Sequence, residues 1–72
     1  MKINIWRQEN SISIRIIADG NEYDISGRIF TSNDGRCDFE EFEPSWFADA
    51  ESESFYDANW EEIEKAVINH KN

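Results

Sequence analysis

The sequence predicts an α+β fold in which an antiparallel meander of three to four strands is covered on one face by a single C-terminal helix. Apolar and polar residues alternate through the first half of the chain, as in strands with one buried face. Turn signals rich in Gly, Asn and Asp separate these segments. Near the end, apolar residues recur at helical spacing. The 72 residues are expected to form one domain, 1–72.

Three segments carry the strand pattern: residues 2–7, 11–18 and 22–31. The second is the clearest, because its β-branched residues recur at every second position. Gly27, in the third, is expected at a bulge or at a point of close packing. The residues predicted to face inward are Ile3, Ile5, Ile12, Ile14, Ile16, Tyr23, Ile25, Gly27, Ile29 and Thr31.

A fourth strand is predicted over residues 36–42, with Cys37 and Phe39 facing inward. The alternation slips at Glu40 and Glu41, which indicates a bulge or a strand end. Pro44 is expected to end this strand or to open a short helical turn.

The helix is predicted to begin at Asp57, a good N-cap residue, after a loop over residues 48–54. Trp60, Ile63 and Val67 follow at i, i+3 and i+7 and should form its apolar stripe. Asp57, Glu61 and Glu64 form a second, acidic stripe beside it.

Negative charge is concentrated in residues 34–64, which hold twelve acids and one base and therefore carry a net charge of −11. The whole chain carries −9, and residues 1–33 are balanced. Aromatic residues are interleaved with the acids, whereas disordered acidic tails are poor in aromatics. A folded surface that presents negative charge is therefore expected.

A pI near 4.3 argues against direct binding to nucleic acid or to anionic membranes, because both require basic surface. It favours a basic partner, or it serves only to keep the protein soluble. Residues 1–6 lack the apolar run of a signal peptide or membrane segment. The single cysteine, Cys37, cannot form an internal disulfide, which fits a cytoplasmic location.

No catalytic or metal-binding pattern stands out, so we expect no enzyme activity, cofactor or required metal. His70 and Cys37 have no catalytic companions, and the three glycines form no phosphate loop. Asp34, Asp38, Glu40 and Glu41 are dense enough for calcium but lack the spacing of a calcium loop.

The acids and nearby aromatics are therefore candidates for binding a partner, in which carboxylates on a rigid scaffold take the place of DNA phosphates. Exposed Trp46 and Phe47 are expected to supply local anchors. An ordinary solvated acidic face is the alternative. The candidate partner-binding residues are Asp38, Glu40, Glu41, Glu43, Trp46, Phe47, Asp49, Glu51, Glu53, Asp57, Glu61 and Glu64.

Residues 16–26 read I-I-A-D-G-N-E-Y-D-I-S, and the segment D-G-N-E-Y at 19–23 with Ile25 and Ser26 resembles the central hairpin of a small acidic phage-encoded anti-CRISPR family. Members of that family inhibit a CRISPR effector nuclease by imitating DNA, and acidic, aromatic-containing helical sequence follows their hairpin. The resemblance implies the class of small acidic inhibitors from phages and mobile elements, including anti-restriction proteins. It assigns no functional residue.

The first hypothesis is thus a non-enzymatic inhibitor that blocks a nucleic-acid-binding defence complex, a CRISPR effector or restriction system, in the host cytoplasm. Two alternatives stay open. One is an immunity or antitoxin protein that neutralises a basic nuclease toxin. The other is a structural or regulatory bacterial domain without charge mimicry.

Overall fold

The structure, a computed structural model, describes residues 1–70 and has one sheet covered by one helix. Its elements are β1 (Lys2–Gln8), β2 (Ser11–Ala18), β3 (Asn21–Asn33), β4 (Asp38–Phe47) and α1 (Ala50–Asn69). The strands are antiparallel in the order β1-β2-β3-β4. Helix α1 packs on one face, chiefly on β3 and β4. The predicted α+β class, with its meander and C-terminal helix, is confirmed.

The β2–β3 hairpin is closed by the short turn that the sequence predicted. Asp19 and Gly20 both have positive φ, 51° and 79°. Two-residue hairpin turns of this kind favour Asp-Gly because they require positive φ at both positions. Ala18 pairs with Asn21 directly beyond the turn, and Ile14 pairs with Ile25 further along. The turn therefore fixes a register that keeps the isoleucines of the two strands on one face.

The core lies between the sheet and α1, on what we call the helix-side face. The predicted inward isoleucines of β2 and β3 are buried, and Ile14 is only 2% exposed. Ile3 and Ile5 of β1 pack against this cluster at its edge. The buried members are Ile12, Ile14, Ile16, Ile25, Ile29, Phe42, Tyr56, Ile63 and Val67.

Strand β4 begins later and ends later than predicted. It runs from Asp38 through Pro44 to Phe47, so the predicted strand end or helical turn at Pro44 is wrong. An edge strand tolerates proline because the missing N–H removes no ladder bond on its free side. The bulge lies at Ser45 rather than at Glu40, because Gly27 pairs with Pro44 while the adjacent Ser26 pairs with Trp46.

The predicted inward positions at the start of β4 are also wrong. Phe42 lies opposite Ile29 on the helix-side face and is buried. With a period of two, Phe39 must then lie on the opposite, outer face, where it is 40% exposed. Cys37 precedes the strand and is exposed.

Helix α1 begins two turns earlier than predicted, and residues 50–54 are helical rather than a loop. Its N-cap is Asp49, whose side chain accepts a 2.8 Å hydrogen bond from the Ser52 amide. Ser52 is completely buried, and its hydroxyl accepts a hydrogen bond from the Asp24 amide of β3. This tertiary contact explains why a small polar segment forms the first turn of a packed helix.

Trp60 was predicted to lie in the core but is 49% exposed. The helix departs from regular dihedral angles at the preceding residue, Asn59, with φ −130° and ψ 21°. The Asn59 side-chain amide donates to the Phe55 carbonyl, the acceptor that the backbone amide of residue 59 uses in a regular helix. Tyr56, Ile63 and the rest of the stripe are buried, whereas Trp60 is left at its edge.

Candidate partner-binding surface

Helix α1 carries more acids than any other element in the described chain. Ser52, Tyr56, Ile63 and Val67 face the sheet and are buried. The other faces of the helix carry six carboxylates and one lysine, Lys65. Five are exposed and Glu64 is half-buried; the six are Glu51, Glu53, Asp57, Glu61, Glu62 and Glu64.

Four of these acids form a row that we call the helix acidic stripe: Glu53, Asp57, Glu61 and Glu64. They follow one another at steps of four, four and three residues. In a regular helix, side chains at such steps are neighbours with Cβ atoms ~5–6 Å apart. The kink at Asn59 lies between Asp57 and Glu61, so this spacing applies to the two segments on either side of it. At ~1.5 Å of rise per residue the stripe extends for ~16 Å. The predicted row of Asp57, Glu61 and Glu64 is thus part of a longer one.

The stripe also acts on a buried group beneath it. Burial raises the pKa of the Tyr56 phenol, and the negative charges of Glu64 and Asp57 raise it further. The phenol therefore stays neutral at physiological pH and adds no negative charge of its own to this surface.

The helix begins next to further carboxylates. Glu51 and Glu53 lie in the first turn, where negative side chains interact favourably with the positive end of the helix dipole. The hydrogen bond from the Ser52 amide lowers the pKa of the Asp49 N-cap carboxyl. Asp49 stays ionised at neutral pH and prolongs the negative surface beyond the helix.

The acids of β4 are divided between two faces and do not continue the stripe as one ridge. Asp38 and Glu40 pair with Asn33 and Thr31 on the helix-side face of the sheet. Glu41 and Glu43 alternate with them and face outward. A period of two on a strand separates such neighbours even though they are adjacent in sequence.

Several of the β4 acids already have partners within the protein. Glu40 forms a 3.3 Å ion pair with Arg7 of β1, across the helix-side face. Asp38 accepts a hydrogen bond from the Asn33 side chain. Glu41 accepts a weaker hydrogen bond of 3.4 Å from the Ser32 hydroxyl. A partner that bound these carboxylates would have to compete with those contacts.

The two predicted aromatic anchors lie in different environments. Trp46 is 53% exposed, but it lies on the outer face, away from the helix acidic stripe. The prediction that Phe47 is an exposed anchor is wrong. Its side chain packs against the core, with its ring centroid 5.8 Å from that of Tyr56. The exposed aromatic residue beside the stripe is Trp60. The two acids that follow it, Glu61 and Glu62, indicated exposure, but the sequence prediction gave more weight to the helical spacing of Trp60 with Ile63 and Val67.

The outer face of the sheet differs in charge from the helix. Trp6, Ser13, Ser26 and Trp46 form one row across the four strands. The tryptophans at its two ends are three strand spacings apart, ~14 Å. Bases and acids are mixed around this row; they are Lys2, Arg15, Arg28, Glu22, Asp24, Glu41 and Glu43.

Two pairs of residues illustrate this mixing on the outer face. Arg15 binds Asp24 through two hydrogen bonds of 2.9 and 3.3 Å, and the contact raises the pKa of Arg15. Arg28 lies opposite Glu43 in the register. The outer face is therefore close to neutral, and the excess of negative charge lies on the helix side.

Asp34, one of the four residues considered for calcium, stabilises the turn between β3 and β4, and the other three belong to β4. Asp34 accepts hydrogen bonds from the amides of Arg36 and Cys37 at 3.0 and 3.1 Å. These bonds lower the pKa of the Asp34 carboxyl. Within residues 1–70, no group of three or more His, Cys, Asp or Glu side chains is arranged to hold a metal ion.

Among the described residues, no helix is both long and apolar enough to cross a membrane. In comparisons with known proteins, the chain matches no protein-family model, no curated protein and no solved structure. The function is therefore argued from the chain's own surface.

Proposed function

We propose that this protein is a non-enzymatic inhibitor that occupies the DNA-binding surface of a host defence complex, a CRISPR effector or a restriction system. It belongs, on this proposal, to the small acidic inhibitors of phages and mobile elements and acts in the host cytoplasm. The helix acidic stripe binds lysines and arginines that otherwise contact phosphates.

The observation that carries this proposal is the helix acidic stripe on a packed helix. Ser52, Tyr56, Ile63 and Val67 anchor α1 to the sheet, so the backbone positions from which its acids extend are fixed relative to one another. Preorganised charges bind better than flexible ones, because less side-chain and backbone freedom is lost on binding. A disordered acidic tail would lack this advantage.

The spacing of the stripe supports a match to DNA. One DNA strand carries a phosphate for every ~3.4 Å of rise, so every second phosphate lies ~6.8 Å further along the axis. Neighbouring residues of the stripe have Cβ atoms ~5–6 Å apart where the helix is regular. The stripe thus offers roughly one charge for every two phosphates of a strand. A basic groove shaped for DNA can therefore pair with the stripe, and long-range attraction would speed the encounter.

The proposal is tested by affinity capture from bacterial lysate with three baits. These are the wild-type protein, the stripe variant Glu61→Lys/Glu64→Lys and the control Glu9→Lys/Glu22→Lys. The control makes the same change in charge, but Glu9 lies in the β1–β2 turn and Glu22 on the outer face. The captured proteins are identified by mass spectrometry, and competition with duplex DNA is used for elution.

We expect the wild type and the control to capture a nucleic-acid-binding complex that duplex DNA releases, and the stripe variant to lose it. Equal capture by all three folded baits, or capture that DNA does not release, would contradict the proposal. Capture of one dedicated nuclease toxin would identify an immunity protein instead.

A further inference from the structure

Trp60 lines two shallow clefts on the exposed side of α1. A cleft of about 330 Å³ lies towards the C-terminus and is lined by Trp60, Glu61, Glu64, Lys65, Ile68 and Asn69. A second, of about 290 Å³, lies on the N-terminal side and includes Asp57 and Glu62. The Trp60 side chain is 49% exposed and contributes to both clefts. Tryptophan is enriched among the residues that dominate the binding energy of protein interfaces.

The first cleft, the Trp60 cleft, combines an apolar wall with acidic walls. Ile68 packs against the core and supplies apolar surface next to the indole. Glu61 and Glu64, one helical turn or less from Trp60, supply carboxylates. An apolar ligand would be disfavoured by these charges, and an anion would be repelled.

The chemistry of these walls suits a guanidinium group. Its planar cation stacks on an indole face, and cation–π attraction is strongest with tryptophan. Its N–H groups form charge-assisted hydrogen bonds with carboxylates, often two at once. A lysine ammonium could satisfy the charge but not the stacking. Lys65 also lines the cleft, one turn from Glu61, but it is exposed to solvent, and the Trp60 indole is itself 49% exposed.

We propose that the Trp60 cleft is the docking site for one arginine side chain of the basic partner, held between the indole and the carboxylates of Glu61 and Glu64. This deepens the proposed function and rests on it for the identity of the partner. The preference of the cleft for arginine can be measured separately. Trp60 is then the aromatic anchor of the acidic surface, the role that the sequence assigned to Trp46 and Phe47.

The test follows the indole N–H signals of the full-length protein by NMR during titration with a short oligoarginine peptide. The matched oligolysine peptide is titrated in parallel. The protein has three tryptophans, and each signal is assigned by the single Trp→Phe variant in which it disappears. Trp6 is 58% exposed on the outer face and is the internal control.

We expect the Trp60 signal to shift with oligoarginine, to shift less with oligolysine, and to move more than those of Trp6 and Trp46. Trp60→Ala should weaken oligoarginine binding about two- to fivefold, the range for an exposed cation–π contact. Trp6→Ala should leave the affinity unchanged, and the thermal melts of both variants confirm that they are folded.

Similar shifts of all three indoles, or equal affinity of the two folded alanine variants, would overturn the arginine site. Equal responses to the two peptides would overturn it too, because charge alone would then explain binding. These outcomes differ from a failure of the proposed function. If Trp60 binds oligoarginine while DNA fails to release the captured complex, the arginine site is supported and the proposal that the protein takes the place of DNA is contradicted.

Discussion

Gly27 of β3 lies so close to β4 that a side chain with a Cβ atom would not fit. A Cβ built there would overlap the Glu43 carbonyl oxygen and lie 2.8 Å from the Phe42 ring. The residue pairs with Pro44 next to the bulge at Ser45, where β4 approaches β3 closely. The close packing predicted for this glycine is confirmed, and the bulge lies on the strand opposite.

Gly27→Ala should therefore destabilise the protein by about 1–3 kcal/mol, the usual cost of overpacking a well-packed site. Urea unfolding followed by circular dichroism measures it. Ser26→Ala is the control, because Ser26 is the adjacent residue and faces outward. Equal unfolding midpoints for the two variants would contradict the close packing seen at Gly27.

Single-residue burial could be predicted from the sequence only where the alternation was regular. Ile12, Ile14 and Ile16 were placed correctly in the core, because residues two apart on a regular strand lie on the same face of the sheet. Phe39 and Phe42 differ by three positions and cannot share a face of a regular strand. The sequence does not decide between them, and the packing of Phe42 on Tyr56 does.

At the scale of elements, the start of α1 depends on the Asp49 cap, which gives stability a specific dependence on pH. The pKa of Asp49 is lowered from 3.8 by the hydrogen bond from the Ser52 amide. A group with a depressed pKa in the folded state stabilises it above the unfolded pKa. That contribution is lost as the pH falls through the folded pKa.

Asp49→Asn keeps a capping side chain but removes the titration. We expect the wild type to be more stable than this variant at neutral pH. The difference should shrink once the pH falls below the ordinary aspartate pKa of ~3.9. Urea midpoints measured for both proteins across this pH range provide the test. A difference that stays constant with pH would show that the ionised cap contributes nothing.

The elements themselves were predictable to different degrees. The β2–β3 hairpin follows from alternation and an Asp-Gly turn, both local signals. The sequence prediction placed the helix start too late because a serine such as Ser52 is typical of a loop. Its place in the helix depends on the hydrogen bond that its hydroxyl accepts from the Asp24 amide, a contact between distant parts of the chain. The extension of β4 past Pro44 depends on its place at the sheet edge, which no local pattern reveals.

At the scale of the whole molecule, charge is separated between two sides. The outer face mixes bases and acids, and the helix side carries most of the excess charge of the −9 protein. The sequence located this excess in residues 34–64 but treated it as one ridge. The alternation of side chains along β4 determines which of its acids face the helix side, and the kink at Asn59 lies next to the exposed Trp60. Both features depend on tertiary packing.

This separation predicts opposite effects of salt on folding and on binding. Self-repulsion among the stripe acids destabilises the folded protein, and salt screens it as the Debye length falls from ~30 Å at ~0.01 M to ~10 Å at ~0.1 M. We expect the melting temperature to rise over this range while affinity for a basic partner falls. Calorimetry and binding titrations in matched buffers test both. Glu61→Lys/Glu64→Lys should show a smaller rise, and a rise as large as that of the wild type would contradict the assignment.

The most direct test of the central claim is DNA binding by the captured target in the presence of each protein. The helix acidic stripe should compete with DNA. Glu61 is exposed and Glu64 half-buried, and neither belongs to the buried core, so their reversal should leave the domain folded. We expect the wild type and Glu9→Lys/Glu22→Lys to block DNA binding and Glu61→Lys/Glu64→Lys to fail, with all three melting cooperatively. Equal inhibition by the three folded proteins would contradict the claim and leave the acids a role in solubility.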